Sequence, residues 1–157
     1  QAGLRTVQSR TGLVVSSSGG LGRILGAAYR VGAGARLGRG DQWQPWIALE
    51  DAAAGLLWAI EHDDVHGPVN LTAPEPARNR DLHRLLSRAG GLPSVAVVPQ
   101  LLLDRAGRAG AAGGAGSIGG MLAELLGASQ RAVPQALLAS GFRFTAPDAA
   151  SIWALGT

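Results

Sequence analysis

The sequence predicts an α/β fold. Short runs rich in β-branched residues alternate with longer stretches whose apolar residues recur at helical spacing. Glycine and proline punctuate the boundaries, and no repeat of 20–50 residues is visible. A hydrophobic share of 46% against 16% charged, over 157 residues, fits one globular domain with at most a small appendage.

Residues 4–10 read as a strand that extends toward Val15 and ends in the turn SSSGG. Residues 21–31 form a helix with Leu21, Ile24, Leu25 and Ala28 on one face, weakened by Gly22 and Gly26. Residues 32–40 hold four glycines in nine and read as a loop. A strand at 46–49 leads into a helix that Asp51 caps, with Ala53, Leu56, Leu57 and Ile60 as its buried stripe. Residues 68–73 are a strand. Asn79 caps the next helix, in which Leu82, Leu85, Leu86 and Ala89 recur until Gly90 and Gly91 stop it. Residues 95–98 read as a buried strand. Residues 101–103 and 121–126 look helical, separated by a loose glycine-rich stretch at 107–120. Pro134 opens a helix that Gly141 ends. Residues 142–145 alternate as a strand with both rings on one face, and Pro147 precedes a last helix.

Composition removes several chemistries. The chain has no cysteine, so disulfides and thiolate metal sites are excluded. All fourteen basic residues are arginine, so no lysine acts as base or Schiff-base former. The net charge is only +3 and the arginines are scattered, which argues against a nucleic-acid surface. The start lacks the apolar core of a signal peptide, and no uncharged run is long enough to span a bilayer, so a cytoplasmic protein without a membrane partner is expected. The first residue is Gln1 rather than methionine, which suggests a piece of something longer.

Three of the four tryptophans, Trp43, Trp46 and Trp58, fall within residues 38–60. In a chain only 4% aromatic, this concentrates ring area in one place, as a core or a binding wall.

Four segments in order resemble the C-terminal half of the atypical extended short-chain dehydrogenases, in particular the epimerase-family proteins that end in a small domain of unknown function. RTGLVVSSSGG (10–20) is similar to that family's sixth strand and glycine turn. GAGARLGRGDQWQPWIALEDAAAGLLWAI (32–60) resembles its Gly-rich loop, W-x-x-W-I segment and helix, with Ala48 where the family usually has histidine. GPVNLTAPEPARNRDL (67–82) and SQRAVPQALLASGFRF (129–144) resemble its proline loop and its C-terminal signature. The resemblance implies the last part of a Rossmann-like NAD(P)-binding fold over residues 1–75, with the substrate loop. A small α/β substrate-side domain follows over 76–157, carrying the 107–120 insertion. The family's G-x-x-G-x-x-G fingerprint and Tyr-x-x-x-Lys pair are absent: the only tyrosine, Tyr29, has Ala33 four residues on. The implied parent is an NAD(P)-dependent epimerase or reductase whose N-terminal half, the natural partner of this chain, supplies both. Alone, the chain is expected to be inactive and to bind no cofactor tightly.

By resemblance, Arg10, Thr11 and Gly12 end the sixth strand and face the cofactor; by composition alone they are an ordinary strand end. Gly19 and Gly20 offer backbone N–H groups to substrate, or make a plain turn. Arg36, Arg39 and Gln42 suit an anionic, sugar-nucleotide-like or carbonyl ligand through forked donors and amide hydrogen bonds, or form a solvated loop. Trp43 and Trp46 wall the cleft or pack in the core. His62 and His66 are four apart but lack a third ligand, so no metal site is expected. His83 falls on a polar helix face. The competing reading is a free-standing, non-enzymatic interaction module that offers an open sheet edge.

Overall fold

A computed structural model describes residues 3–16, 18–99, 101–102, 105 and 127–155. The 107–120 stretch and the helix expected at 121–126 lie outside the described residues. The strands are β1 (Val7–Thr11), β2 (Leu13–Val15), β3 (Ala35–Leu37), β4 (Trp43–Gln44), β5 (Trp46–Ala48), β6 (Gly67–Leu71), β7 (Ala77–Arg78) and β8 (Ala96–Val98). The helices are α1 (Gly20–Arg30), α2 (Leu49–Glu61), α3 (Asn79–Ala89), α4 (Gln135–Ala139) and α5 (Ala149–Leu155). Strands and helices alternate as the α/β expectation requires.

The chain forms two compact units assembled from interleaved stretches. One comprises Gln1–Ile24, Pro45–Pro76 and Arg131–Thr157; the other comprises Leu25–Gln44 and Ala77–Gln130.

In the first unit β1 pairs in parallel with β6, and β2 in parallel with β5. The single strand expected at 4–15 is divided at Gly12, where the chain passes from one pairing to the other. Its N–H bonds the Leu71 carbonyl, and the next N–H, of Leu13, bonds that of Pro45. A Cβ on Gly12 would lie 2.2 Å from the Pro45 carbonyl oxygen, so only glycine fits.

Ile47, Val69, Leu71 and Leu137 are buried at the centre of this unit, with Ala52, Ala59, Val65 and Phe142 around them. Helix α2 lies on them through Ala52, Gly55 and Ala59, not through the expected Ala53, Leu56, Leu57 and Ile60, which are exposed. Small residues win this face because the helix lies so close. A Cβ on Gly55 would already stand 3.0 Å from Leu71 Cδ2. Leu4 and Thr6 flank Arg5, whose guanidinium donates to the Ala59, Ile60 and Val65 carbonyls at 2.7–2.9 Å, a cation on the free carbonyls of a helix end.

Asp51 does not cap α2. It is buried, and its two oxygens accept the N–H groups of Thr145 and Ala146 at 2.8 and 2.9 Å. Residues 142–145 consequently form no strand: their backbone is held by this carboxylate and by the Phe142 N–H bond to Leu137. Both rings still pack on the same core, Phe142 edge-on to Phe144 at 4.8 Å. Asp148 caps α5 by accepting both the N–H and the hydroxyl of Ser151.

In the second unit β3 pairs in parallel with β8, and β4 antiparallel with β7. The glycine-rich loop expected at 32–40 thus contains a strand, created by its distant partner. Strand β8 exists as expected but is largely exposed, with Val95 and Val97 open to solvent. Helix α3 buries Leu82 and Leu86, whereas Ala89 is exposed. Asn79 does not cap it. Its side-chain oxygen accepts the Leu37 N–H instead, at 3.0 Å. In α1, Gly22 and Tyr29 are the buried residues and Ile24 is exposed, so the expected stripe is rotated.

Candidate ligand-binding site

The first unit supplies a carboxyl edge. Arg10 pairs with Asn70 and Thr11 with Leu71, so parallel β1 and β6 end together. Open α/β sheets bind ligands at such an edge. Arg10 and Thr11 are exposed there, and Gly12 follows them. Thr72, just past β6, was not singled out by the sequence. Its methyl lies 3.1 Å from where a Gly12 Cβ would stand, and its hydroxyl is buried without a hydrogen-bond partner. Buried hydroxyls are rarely left so. Gly19 and Gly20 sit where α1 begins, preceded by a local Ser16–Ser18 hydroxyl contact of 2.7 Å.

Trp46 also belongs to the first unit, as a core residue. It is 4% exposed and meets Trp153 edge-on at 5.8 Å. Trp58 donates to the Ser140 hydroxyl and stacks on His62 at 3.5 Å.

The second unit gathers the cationic candidates. Arg36 lies on β3, Arg39 and Gln42 in the turn, and Trp43 on β4. Gln42 is fixed by donating to the Leu37 carbonyl at 3.2 Å. The β4–β7 register sets Trp43 opposite Arg78, whose guanidinium lies 4.5 Å over the indole. Asp41 binds Arg80 by a hydrogen-bonded ion pair and reaches Arg39 at 3.2 Å and Arg78 at 3.7 Å. Gly40 is squeezed between Arg36 and Arg80, a Cβ there falling 3.0 Å from one and 2.8 Å from the other. Arg36 keeps a buried Nε without a partner. Guanidiniums outnumber carboxylates here, and Arg39 is 92% exposed. Such forked donors hold carboxylates and phosphates. Arg78 and Arg80 escaped the sequence reading because a strand pairing across some 35 residues brings them in.

Burial pushes the Tyr29 phenol up to about 12. Its hydroxyl meets His83 Nδ1 at 2.8 Å. His83 is therefore not the solvated residue expected. Burial lowers its pKa, opposed by a hydrogen bond to the Ser94 backbone and reinforced by the Arg36 charge. Among the described residues no three His, Asp or Glu gather to hold a metal ion, and no helix is long and apolar enough to cross a membrane.

A family model described as a domain of unknown function, DUF1731, matches residues 117–152. An epimerase family protein of Mycobacterium bovis is 38% identical over 144 residues, covering 92% of this chain and 44% of its own length. The chain thus spans less than half of that curated relative. The crystal structure of the human epimerase family protein SDR39U1 with NADPH superimposes with a TM-score of 0.79 at 28% identity, over 95% of this chain and 47% of the human one. A nucleoside-diphosphate sugar epimerase from Corynebacterium glutamicum gives 0.69 at 29% identity, over 99% and 27%. In sequence and in its Rossmann-like α/β fold, the chain corresponds to the C-terminal half of an epimerase-family protein.

Proposed function

We propose that this chain is the substrate-side half of an NAD(P)-dependent epimerase- or reductase-like protein, inactive until joined to the half that carries the cofactor fingerprint and the Tyr-x-x-x-Lys pair. One observation carries the reading: 95% of the chain follows the fold of a human relative whose structure was determined with NADPH. The exposed Arg10 and Thr11, the tightly approached Gly12 and the orphaned Thr72 hydroxyl form a polar rim that fits the nicotinamide end of such a cofactor. When bound, NAD(P) would supply hydride transfer. The chain's own residues have other work. Arg36, Arg39 and Gln42 hold the anionic part of a sugar-nucleotide-like or carbonyl substrate, and Trp43 walls it.

The test joins the chain to the half of the Mycobacterium bovis relative that it does not match and titrates uridine diphosphate as a nucleoside-diphosphate probe. Binding should weaken at least about tenfold in the Arg36→Gln/Arg39→Gln double variant, two charge-assisted contacts being lost. Equal affinity in the parent and the double variant would remove these arginines from the substrate site.

A further inference from the structure

Asp41 sits among guanidiniums. Its Oδ1 accepts from Arg80 and lies 3.7 Å from Arg78 Nη1, while its Oδ2 lies 3.2 Å from Arg39 Nε. Arg36 flanks the same turn, its Cδ 3.0 Å from where a Gly40 Cβ would stand. Among the described residues, Asp81 is the other carboxylate that reaches these arginines. It stands 4.0 Å from Arg80 Nε and turns to Arg84 at 3.2 Å.

A carboxylate so placed can clamp the turn to α3, or it can fill a seat meant for an outside anion. The clamp is redundant. The Leu37 N–H already bonds Asn79 Oδ1, the Asn79 N–H bonds the Gln42 carbonyl, and the Arg80 N–H bonds the Gly40 carbonyl, each at 3.0 Å. The Gly40 N–H closes the turn on the Leu37 carbonyl at 2.9 Å. None of these bonds uses the Asp41 side chain, and exposed ion pairs add little stability.

Two further observations favour the seat. Arg36 keeps a buried Nε that no group of the cluster satisfies, and buried donors are rarely left so. The Asp41 side chain is 40% exposed, so a solute reaches the oxygens that hold the arginines. A ligand carboxylate that replaced Asp41 would exchange like for like on the same forked donors and gain little. A phosphate-type group brings more negative charge and three acceptor oxygens, so its exchange is favourable.

We infer that Asp41 is a resident counter-anion that the ligand displaces. It masks Arg78 and Arg80 from carboxylates and yields them to a phosphate-type dianion, which makes it a specificity residue. This rests on the arginine site proposed above.

Glucose 1-phosphate and glucuronate, sugars of similar size bearing a phosphate and a carboxylate, are titrated into the chain joined to the unmatched half of the Mycobacterium bovis relative. The parent should bind the phosphate at least about tenfold more tightly than the carboxylate. Asp41→Asn, which keeps the shape and removes the charge, should tighten glucose 1-phosphate at least about fivefold. Adding Arg80→Gln should remove most of that gain, because the unmasked donor is gone. Asp41→Glu, which keeps the charge, should bind as the parent does. Unchanged affinity in Asp41→Asn, with binding weakened in Arg36→Gln/Arg39→Gln, overturns the displacement while leaving the arginine site in place. The same affinity in every variant, or binding by none, removes the arginine site and this inference with it. Glucuronate bound as tightly as glucose 1-phosphate by the parent overturns the ligand class. An Asp41→Asn protein that binds more weakly or unfolds shows the carboxylate to be a clamp.

Discussion

The two compact units of this chain are stabilised differently. The first encloses an apolar centre in which Ile47, Leu71, Leu137 and Ile152 are almost wholly inaccessible. Among its described residues the second has few fully buried apolar side chains, chiefly Tyr29, Leu82 and Leu86, and its polar contacts include Asn79 to Leu37, Tyr29 to His83, and Asp41 among its arginines. Apolar burial is non-directional and tolerates a uniform wall. A polar network fixes individual donors, which is what recognition of a charged ligand needs. The first unit is thus held mainly by burial and the second by directed polar contacts.

Substitutions can break this contrast. Leu137→Ala should cost about 2–5 kcal/mol in denaturant unfolding, because the site is closed on every side and cannot collapse fully. A loss below 1 kcal/mol would mean that the first unit is not densely packed. Gly12→Ala forces a methyl against the Pro45 backbone and should cost about 1–3 kcal/mol, read from the same melts. Asp148→Ala removes the α5 cap and should cost about 0.5–2 kcal/mol at neutral pH, whereas Asp148→Asn should cost far less.

Acid sharpens the comparison further. The Ser151 N–H and hydroxyl hold the Asp148 carboxyl below its ordinary 3.8. Its stabilisation is present above that pH and is lost as pH falls through the lower folded-state value, so the Asp148→Ala penalty should fade in strong acid. His83 acts at milder pH. Its folded-state pKa lies below the ordinary 6.5, so the unfolded chain binds the proton more tightly. Stability is unaffected above that pH and falls as pH drops below it. Protection factors of amides in residues 29–37 and 79–90, taken against their intrinsic exchange rates, should fall below about pH 6.5, and His83→Gln should abolish that fall. No change with pH would mean that His83 is solvated in the folded protein.

What the sequence disclosed follows the range of the interactions concerned. Local signals were readable: Gly90 and Gly91 end α3, and Pro134 and Gly141 bracket α4, because turn and cap chemistry acts over a few residues. Helix α2 was read at the right place with the wrong face inward, since LEDAAAGLLWAIE offers two apolar faces and only the closeness of Leu71 chooses the smaller one. Residues 35–37 became a strand through β8, about sixty positions away, and residues 142–145 lost theirs to the Asp51 carboxylate. The same holds for the candidate site. Arg36, Arg39, Gln42 and Trp43 are sequence neighbours and were visible together. Arg78, Arg80 and Thr72 entered only through strand pairing. Trp46, visible beside Trp43, packs in the core against Trp153.

The most direct test is a calorimetric titration of NADPH into the isolated chain and into the chain joined to the unmatched half of its Mycobacterium bovis relative. The fragment account predicts no measurable binding to the first and saturable binding to the second. Micromolar binding to the isolated chain would contradict it.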